Sequence, residues 1–452
     1  MNYKLLKDKS LVVVFTYAPA GLGHLRVSNA LSEGLPGSVT PLLVGSDDKI
    51  TQNIHKFMSI HSLSKQLMEF SQSGWAEDIF TPIYRRSLRA NTDETYDQLV
   101  RVIKQRIDVP KEVLVIATHF GLAIQIASIK DKFESENGVK MHLIVQVTDD
   151  SPQHMWYVPG ADLTFVPSER TKEALLRYGH KAKLPLIDIV VLPYPISPTM
   201  AKELTEHRRE QRSKQLDPYT DSQVNVCIPV SGAAVGMDYF DKIMQYLHRR
   251  SRKFVFHIVS KNAPFTQYFL FAISMRPYAR LYTSTHDREV VDLYEDLYSR
   301  ETISLEITKP SEQAFKALYN CKQIGGSVLL FTLPVGRQEY DNLDFLRRHN
   351  LIFSKSTQAR INSLFERDKK LSKFELDSLF GLNDSIRGIQ LPNTSHKAAD
   401  FIWWCLSNGI FKKMACSGCH IKDYDSEIRS NSVELFWERI EQYLIEQGEN
   451  LI

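Results

Sequence analysis

Short runs of β-branched and other apolar residues alternate with stretches of helical periodicity along most of this chain, and that alternation constrains its fold most. In the first half, the predicted strands are Leu11–Thr16, Val113–Thr118, Met141–Thr148, Asp162–Val166 and Ile187–Leu192. Each is nearly continuous in apolar residues, as expected for parallel strands that are covered on both faces. The pattern therefore predicts an α/β fold built on a parallel sheet.

The same alternation restarts after a charged segment, which predicts a second domain. Residues 201–222 contain no sustained apolar run and are predicted to be a linker. Further strands are predicted at Val224–Val230, Lys253–Ser260 and Gly326–Thr332. A chain of 452 residues is also too long for one ordinary core. We predict Rossmann-like domains at residues 1–200 and 223–415, with ligands at the carboxyl ends of the strands.

The last segment, residues 416–452, is predicted to end in one amphipathic helix that packs back against the first domain. The apolar positions with helical spacing are Val433, Leu435, Phe436, Ile440, Tyr443 and Leu444. A helix with such an apolar stripe needs a partner to cover it.

Composition narrows the class of protein. Hydrophobic residues make up 43% and charged residues 24% of the chain, which is typical of globular proteins. The net charge of +3 is far below that of a protein built to coat nucleic acid. The five cysteines are sparse, and no run reaches the roughly 18 apolar residues of a membrane-spanning helix. We therefore expect a cytoplasmic protein.

A loop with two glycines follows the first predicted strand. Gly21 and Gly23 would let a ligand approach the backbone, and the helix that opens near His24 favours an anion at its N-terminus. A histidine at that position is a candidate general base, because imidazole titrates near neutral pH. The residues alone leave a second role for His24 open, namely capping the helix or bonding to a neighbouring strand.

Five stretches, in order, resemble one family of enzymes. They are AGLGHLRVSNAL, VIATHFGLAIQIASIK, VTDDSPQHMWYVPGADLTFVPSER, LPYPISP, and ITKPSEQAF followed by PVGRQEYDNLDFL. The family is that of the lipid-sugar transferases related to monogalactosyldiacylglycerol synthase, processive diacylglycerol glucosyltransferase and the peptidoglycan N-acetylglucosaminyltransferase. The resemblance implies the GT-B fold, in which two Rossmann-like domains face each other across a cleft and a C-terminal helix returns to the N-domain.

The resemblance also implies an activity: transfer of a hexosyl group from a UDP-sugar to a hydroxyl, such as that of diacylglycerol, with inversion. The base would be His24 or Asp149. The implied acceptor-binding residues are Gly21, Gly23, His119, His154 and Trp156. The implied donor-binding residues are Ser231, Gly232, Lys309, Pro310, Ser311, Glu312, Gly336, Gln338, Glu339 and Asn342. No metal or other cofactor is expected, because a lysine and loop amides can stabilise a leaving diphosphate.

The donor loop departs from the family pattern. The family usually has glycines after Lys-Pro and a glutamate that holds the ribose, whereas here Ser311 and Glu312 replace the glycines and Ala317 replaces the glutamate. Two alternatives therefore remain beside the transferase. One is a sugar-nucleotide 2-epimerase of the same fold, and the other is a non-catalytic GT-B protein that binds a ligand or a partner.

Residues Ile79–Arg89 combine apolar and basic side chains, as interfacial helices do. In the similar transferases this region faces the bilayer, so the resemblance implies membrane contacts at Tyr84, Arg85 and Arg86 and a location at the inner face of the membrane. An ordinary amphipathic helix with a solvated basic face is the alternative.

Overall fold

The computed structural model describes residues 3–17, 22–37, 39, 41–45, 74–104, 109–230, 234–381, 385–416, 427–429 and 431–449. The chain divides into two compact units: Met1–Pro198 together with Tyr424–Ile452, and Thr199–Asp423. Three of the candidate site residues, Gly21, Ser231 and Gly232, lie outside the described residues.

The first unit is built on a six-stranded parallel sheet. Its strands are β1 (Leu11–Tyr17), β2 (Leu42–Gly45), β3 (Glu112–Ala117), β4 (Lys140–Gln146), β5 (Leu163–Val166) and β6 (Ile189–Val191). They lie in the order β2-β1-β3-β4-β5-β6, so the direction of strand addition reverses between β1 and β3. In open α/β sheets ligands bind outside the carboxyl ends of the strands at such a switch point.

Helices cover this sheet and supply its core. They are α1 (Leu22–Glu33), α2 (Gly74–Ala90), α3 (Asp93–Lys104), α4 (Phe120–Asn137) and α5 (Glu169–Lys181), with a short 3-10 helix at His154–Trp156. Gly138 ends α4 with φ 65°, a left-handed conformation that glycine adopts without a steric penalty. The strands are buried along almost their whole length, which explains their continuous apolar sequences.

The second unit repeats the plan with a second six-stranded parallel sheet. Its strands are β7 (Val224–Pro229), β8 (Phe254–Lys261), β9 (Ala279–Ser284), β10 (Leu305–Thr308), β11 (Val328–Phe331) and β12 (Gly388–Gln390). They lie in the order β12-β11-β10-β7-β8-β9. The switch point therefore falls between β7 and β10, where the loop after β10 begins at Lys309.

An apolar core that includes no residue of the first unit lies among the helices of the second unit. These helices are α6 (Pro198–Ala201), α7 (Glu206–Gln215), α8 (Met237–Arg250), α9 (Gln267–Ser274), α10 (Asp287–Arg300), α11 (Arg337–Arg348), α12 (Lys355–Glu366), α13 (Lys373–Phe380), α14 (Ser395–Ser407) and α15 (Ile410–Cys416). A 3-10 helix at Glu312–Leu318 follows β10.

The final helix, α16 (Ser432–Glu449), belongs to the first unit, as its apolar stripe predicted. The indole of Trp437 donates to the Leu31 carbonyl at 2.8 Å, and the ring of Phe436 packs against that of Phe165. The carboxylate of Glu441 accepts hydrogen bonds from the backbone of residues 4–6. The predicted fold class, two Rossmann-like α/β units with a C-terminal helix returning to the first, is confirmed.

Part of the segment predicted as a linker is a helix of the second unit. Residues Glu206–Gln215 form α7, whose N-cap Thr205 accepts a hydrogen bond from the Arg208 amide. The buried guanidinium of Arg212 donates to the carbonyls of Ile303, Cys321, Gln323 and Ile324. A charged sequence reads as exposed, but here backbone carbonyls satisfy the buried cation.

Candidate functional site

His24 lies in the first turn of α1, beside the switch point of the first sheet. Its Nδ1 is 2.6 Å from the Thr118 carbonyl oxygen, directly after β3, and 3.3 Å from the Thr148 hydroxyl, just after β4. Because a carbonyl oxygen can only accept, Nδ1 carries the proton of the neutral ring. The lone pair of the neutral imidazole then lies on Nε2, which is the nitrogen able to accept a proton.

Polar contacts hold the helix that carries His24 against β3. The Ser28 hydroxyl lies 3.0 Å from the Thr118 hydroxyl, which also donates to the carbonyls of Thr16 and His24. Thr118 and Ser28 are both buried, so these bonds form away from competing water. The sequence analysis missed both residues, although Thr118 directly precedes His119 in a quoted stretch.

The second candidate base is Asp149, which is half-buried. It directly follows Thr148, the residue that contacts His24. Its neighbour Asp150 is fully buried and accepts from the hydroxyls of Ser168 and Thr171 at the start of α5. Asp150 is therefore a structural carboxylate. Asp149 therefore stays the candidate base of this acidic pair.

His119 and Trp156, both predicted acceptor contacts, form a buried wall behind His24. The His119 ring meets the His24 ring edge-on at 5.0 Å and caps α4 by accepting from the Leu122 amide. Trp156 is 1% exposed, and its ring lies 6.4 Å from that of His24. Both residues pack against the histidine, and their role toward an acceptor stays a prediction.

Arg85 was predicted to contact a membrane, but the structure buries its side chain. The residue is 5% exposed and donates to the carbonyls of His154 and Tyr157 and to the Tyr178 hydroxyl. Burial lowers the pKa of its guanidinium. Arg85 thus ties α2 to the 3-10 helix at His154–Trp156.

His154, another predicted acceptor residue, is drawn into the same network. Its ring stacks on that of Tyr178 at 3.8 Å, and its Nδ1 lies 3.4 Å from the carboxylate of Asp78. The backbone amide of His154 donates to Glu77. Its role toward an acceptor stays a prediction.

The outer face of α2 carries the other two residues of the membrane prediction. Arg86 is exposed, and the half-buried ring of Tyr84 stacks on that of Phe80 at 5.5 Å. Phe80 and Ile83 are also exposed on this helix. In the part of the chain that the structure describes, no helix has the length and apolar character to cross a membrane.

In the second unit, Lys309 directly follows β10 at the switch point of the sheet. Its Nζ lies 3.7 Å from the carboxylate of Glu339, and both side chains are largely shielded from solvent. The other oxygen of Glu339 accepts from the Val335 amide at 2.7 Å, which fixes the loop ahead of α11. Two predicted donor residues thus form one charged pair at the position where this fold binds ligands.

The remaining predicted donor residues surround this pair. Asn342 is buried and donates to the Pro310 carbonyl at 3.2 Å, joining α11 to the loop after β10. Gly336 is the N-cap of α11, and Gln338 lies half-buried in its first turn. The structure therefore brings together Lys309, Pro310, Glu339 and Asn342, as the two separate sequence stretches suggested.

Ser311 and Glu312 begin the 3-10 helix, and both are half-buried. Ala317 is fully buried, so this position is not open to a ligand and a glutamate there would lie in the interior. The same helix carries Lys316, whose Nζ is 2.6 Å from the fully buried carboxylate of Glu306 on β10. This pair, which was not predicted from the sequence, joins the 3-10 helix to β10.

Tyrosine side chains complete the environment of that buried pair. The hydroxyls of Tyr294 and Tyr298 both donate to Glu306, and the ammonium of Lys316 lies 3.8 Å from the Tyr298 ring centroid. Burial and the nearby carboxylate raise the pKa of the Tyr298 hydroxyl well above its usual value. Among the described residues, no group of three or more His, Cys, Asp or Glu side chains could hold a metal ion.

No protein-family model matches the chain, and no curated protein is significantly similar in sequence. Several solved structures are similar. The S. aureus MnaA–UDP complex is 11% identical with a TM-score of 0.45, covering 97% of both chains. Arabidopsis thaliana UGT89C1 with UDP is 10% identical with a TM-score of 0.45, covering 95% of this chain and 99% of that one. Anabaena Alr3699/HepE with UDP and glucose is 9% identical with a TM-score of 0.44, covering 96% and 98%.

These identities and TM-scores leave the activity of the chain open.

Proposed function

We propose that the chain is a UDP-sugar-dependent hexosyltransferase that transfers its sugar to a hydroxyl group with inversion. The observation that carries the proposal is His24, held at the switch point of the first sheet with its Nδ1 proton on the Thr118 carbonyl. We assign the other ring nitrogen, Nε2, to the proton of the acceptor hydroxyl. A lipid such as diacylglycerol is the acceptor class that the sequence resemblance favours.

The proposed reaction needs a base for the acceptor hydroxyl and a cation for the leaving diphosphate. Nε2 of His24 takes the proton of the acceptor hydroxyl while the hydroxyl oxygen forms a bond to the anomeric carbon of the sugar. The bond from that carbon to the β-phosphate oxygen breaks, and UDP leaves with the bonding electron pair. Lys309, at the switch point of the second sheet, stabilises the charge on the departing diphosphate.

The substitutions in the loop after β10 are compatible with the proposed donor site. Glu312 is half-buried in the first turn of the 3-10 helix and supplies the carboxylate that the family places at the position of the buried Ala317. We assign Glu312 to a ribose hydroxyl, because a carboxylate facing the diphosphate would repel it.

Release of UDP from a panel of UDP-sugars tests the activity. The protein is incubated with each sugar nucleotide, with and without vesicles that contain diacylglycerol, and both UDP and the lipid product are measured. The transferase predicts UDP release that depends on the acceptor. Conversion of the sugar nucleotide to its epimer without acceptor would identify a 2-epimerase instead. UDP-sugar binding without any product would favour the non-catalytic alternative.

A further inference from the structure

A cavity of about 400 Å³ lies in the second unit and shares no residue with the proposed donor site. Three segments line it: Pro218–Tyr219 after α7, residues 370–376 around the start of α13, and residues 407–413 from the end of α14 into α15. Its volume is within the range of roughly 300–1,000 Å³ that small-molecule sites occupy. Four of the lining side chains are lysines and none is acidic.

The walls of this cavity are fixed by hydrogen bonds. The Asn408 side chain accepts from the Leu371 amide at 2.7 Å, and the Trp404 indole donates to the Lys369 carbonyl at 3.0 Å. A capping box between Ser372 and Glu375 holds the start of α13. Because these segments are already ordered, a ligand would lose little affinity to the cost of ordering them.

The four lysines divide into two pairs with different roles. Lys412 binds the carboxylate of Asp217, and Lys413 binds that of Asp377, so these two charges are neutralised within the protein. Lys370 and Lys373 are exposed and make no ion pair within the described part of the chain. The cavity therefore has an excess of two positive charges, which matches the charge of about −1.5 to −2 of a phosphate monoester near neutral pH.

An apolar surface lies beside these charges. The Tyr219 side chain lines the cavity while remaining 88% exposed, and Pro218, Leu371 and Leu376 complete this surface. An aromatic face of this kind offers contact area to a ring. We propose that the cavity is a second ligand site, for a small phosphate monoester that carries a ring. Lys370 and Lys373 bind the phosphate, and Tyr219 contacts the ring.

Calorimetric titration of the full chain with phenyl phosphate, and separately with inorganic phosphate, tests this site. Phenyl phosphate should bind more tightly than inorganic phosphate. Added salt should weaken the binding of both ligands, because the lysines are exposed. The K370A/K373A variant should bind phenyl phosphate about tenfold more weakly, since two exposed charge contacts are lost. Y219A should weaken the binding of phenyl phosphate and leave the affinity for inorganic phosphate unchanged.

Two control variants show whether phenyl phosphate binds at this cavity. K355A/K397A removes two other exposed lysines of the same unit and should leave the affinity for phenyl phosphate unchanged. K309M, which alters the proposed donor site, should also leave it unchanged. Adenosine monophosphate and glucose 6-phosphate, titrated alongside, distinguish a base from a sugar as the preferred ring.

Three results would overturn the proposal. The first is a folded parent protein that binds no phenyl phosphate. The second is equal binding by the parent and K370A/K373A. The third is loss of binding in K309M, which would assign the phosphate to the donor site. The thermal unfolding midpoint of each variant shows whether it is folded. Because the test uses neither UDP nor turnover, its outcome is independent of the proposed transferase activity.

Discussion

At the scale of single residues, His24 is positioned by one ring nitrogen and acts in the proposed reaction through the other. Nδ1 is engaged by Thr118, so replacement of the ring removes the base without altering the proposed donor site. We expect H24A to lower kcat by about 10²–10⁴, the usual contribution of a general base. Its affinity for UDP, measured by calorimetry, should equal that of the parent.

The control for H24A is the unfolding midpoint, because the variant also loses the bond to Thr118. A folded H24A with parental turnover would contradict the assignment and move the base to Asp149, which D149N then tests.

How far single residues could be assigned from sequence depends on where their partners lie. His24 lies in the helix that follows the first predicted strand, so the local pattern locates it at a sheet edge. Lys309 follows β10, which was not predicted as a strand, and only the family resemblance identified it. Arg85 could not be placed in this way, because its partners at Tyr157 and Tyr178 are remote in sequence. A basic residue on an amphipathic helix reads as exposed, and only tertiary contacts reveal that backbone carbonyls satisfy it in the interior.

At the scale of elements, the strands that were predicted are those with continuous apolar runs. Two of the missed strands lack this signal: β9 is half-exposed and includes Arg280, and β12 has three residues. β10 was missed as a strand because its four residues include Glu306, whose burial depends on Lys316 ten positions later. Charged residues in a core are paired through contacts that periodicity does not encode.

The Glu306–Lys316 pair should couple the stability of the second unit to donor binding. K316M leaves a buried carboxylate unpaired, which should cost about 3–5 kcal/mol in the free energy of unfolding. It should also weaken UDP binding, because the 3-10 helix that carries Glu312 loses its anchor. Denaturant unfolding and calorimetry measure the two effects.

A double-mutant cycle tests the pairing itself. E306Q/K316M should recover part of the lost stability, since the unpaired charge is gone. K242M, which breaks the exposed Lys242–Asp238 pair on α8, should change stability by less than about 0.5 kcal/mol. Equal effects of K242M and K316M would contradict the role given to the buried pair.

His257 should make the second sheet sensitive to acid. It lies on β8, buried between the Asn225 amide oxygen and the Tyr282 hydroxyl, and burial lowers the pKa of its imidazole to about 4. The unfolded pKa is about 6.5. Between those values the unfolded chain binds a proton that the folded chain excludes, so the free energy of unfolding falls as pH falls.

The slope from this one histidine is at most about 1.4 kcal/mol per pH unit. Urea titrations from pH 7 to pH 4.5 should show a shallower decline for H257Q than for the parent. H286Q replaces a histidine that is exposed and should follow the parent curve. Parallel curves for H257Q and the parent would contradict the assignment.

At the scale of the whole molecule, the two units have separate cores, and the last helix belongs to the first. We expect two transitions in scanning calorimetry, because each unit buries its own apolar surface. W437A removes a fully buried indole of α16 and should destabilise one transition by about 3–5 kcal/mol. W404A, which alters a buried residue of α14 in the second unit, should lower the midpoint of the other transition. A shift of the same transition by both variants would contradict this division.

The central claim is that Lys309 binds the diphosphate of a UDP-sugar. Calorimetric titration of UDP into the parent and into K309M tests this claim most directly. The parent should bind UDP, and K309M should bind it at least about tenfold more weakly, because one charge-assisted contact to phosphate is lost. K322A, which removes an exposed lysine of the same unit, should bind like the parent. A folded parent that binds no UDP, or equal affinity in the parent and K309M, would contradict the account.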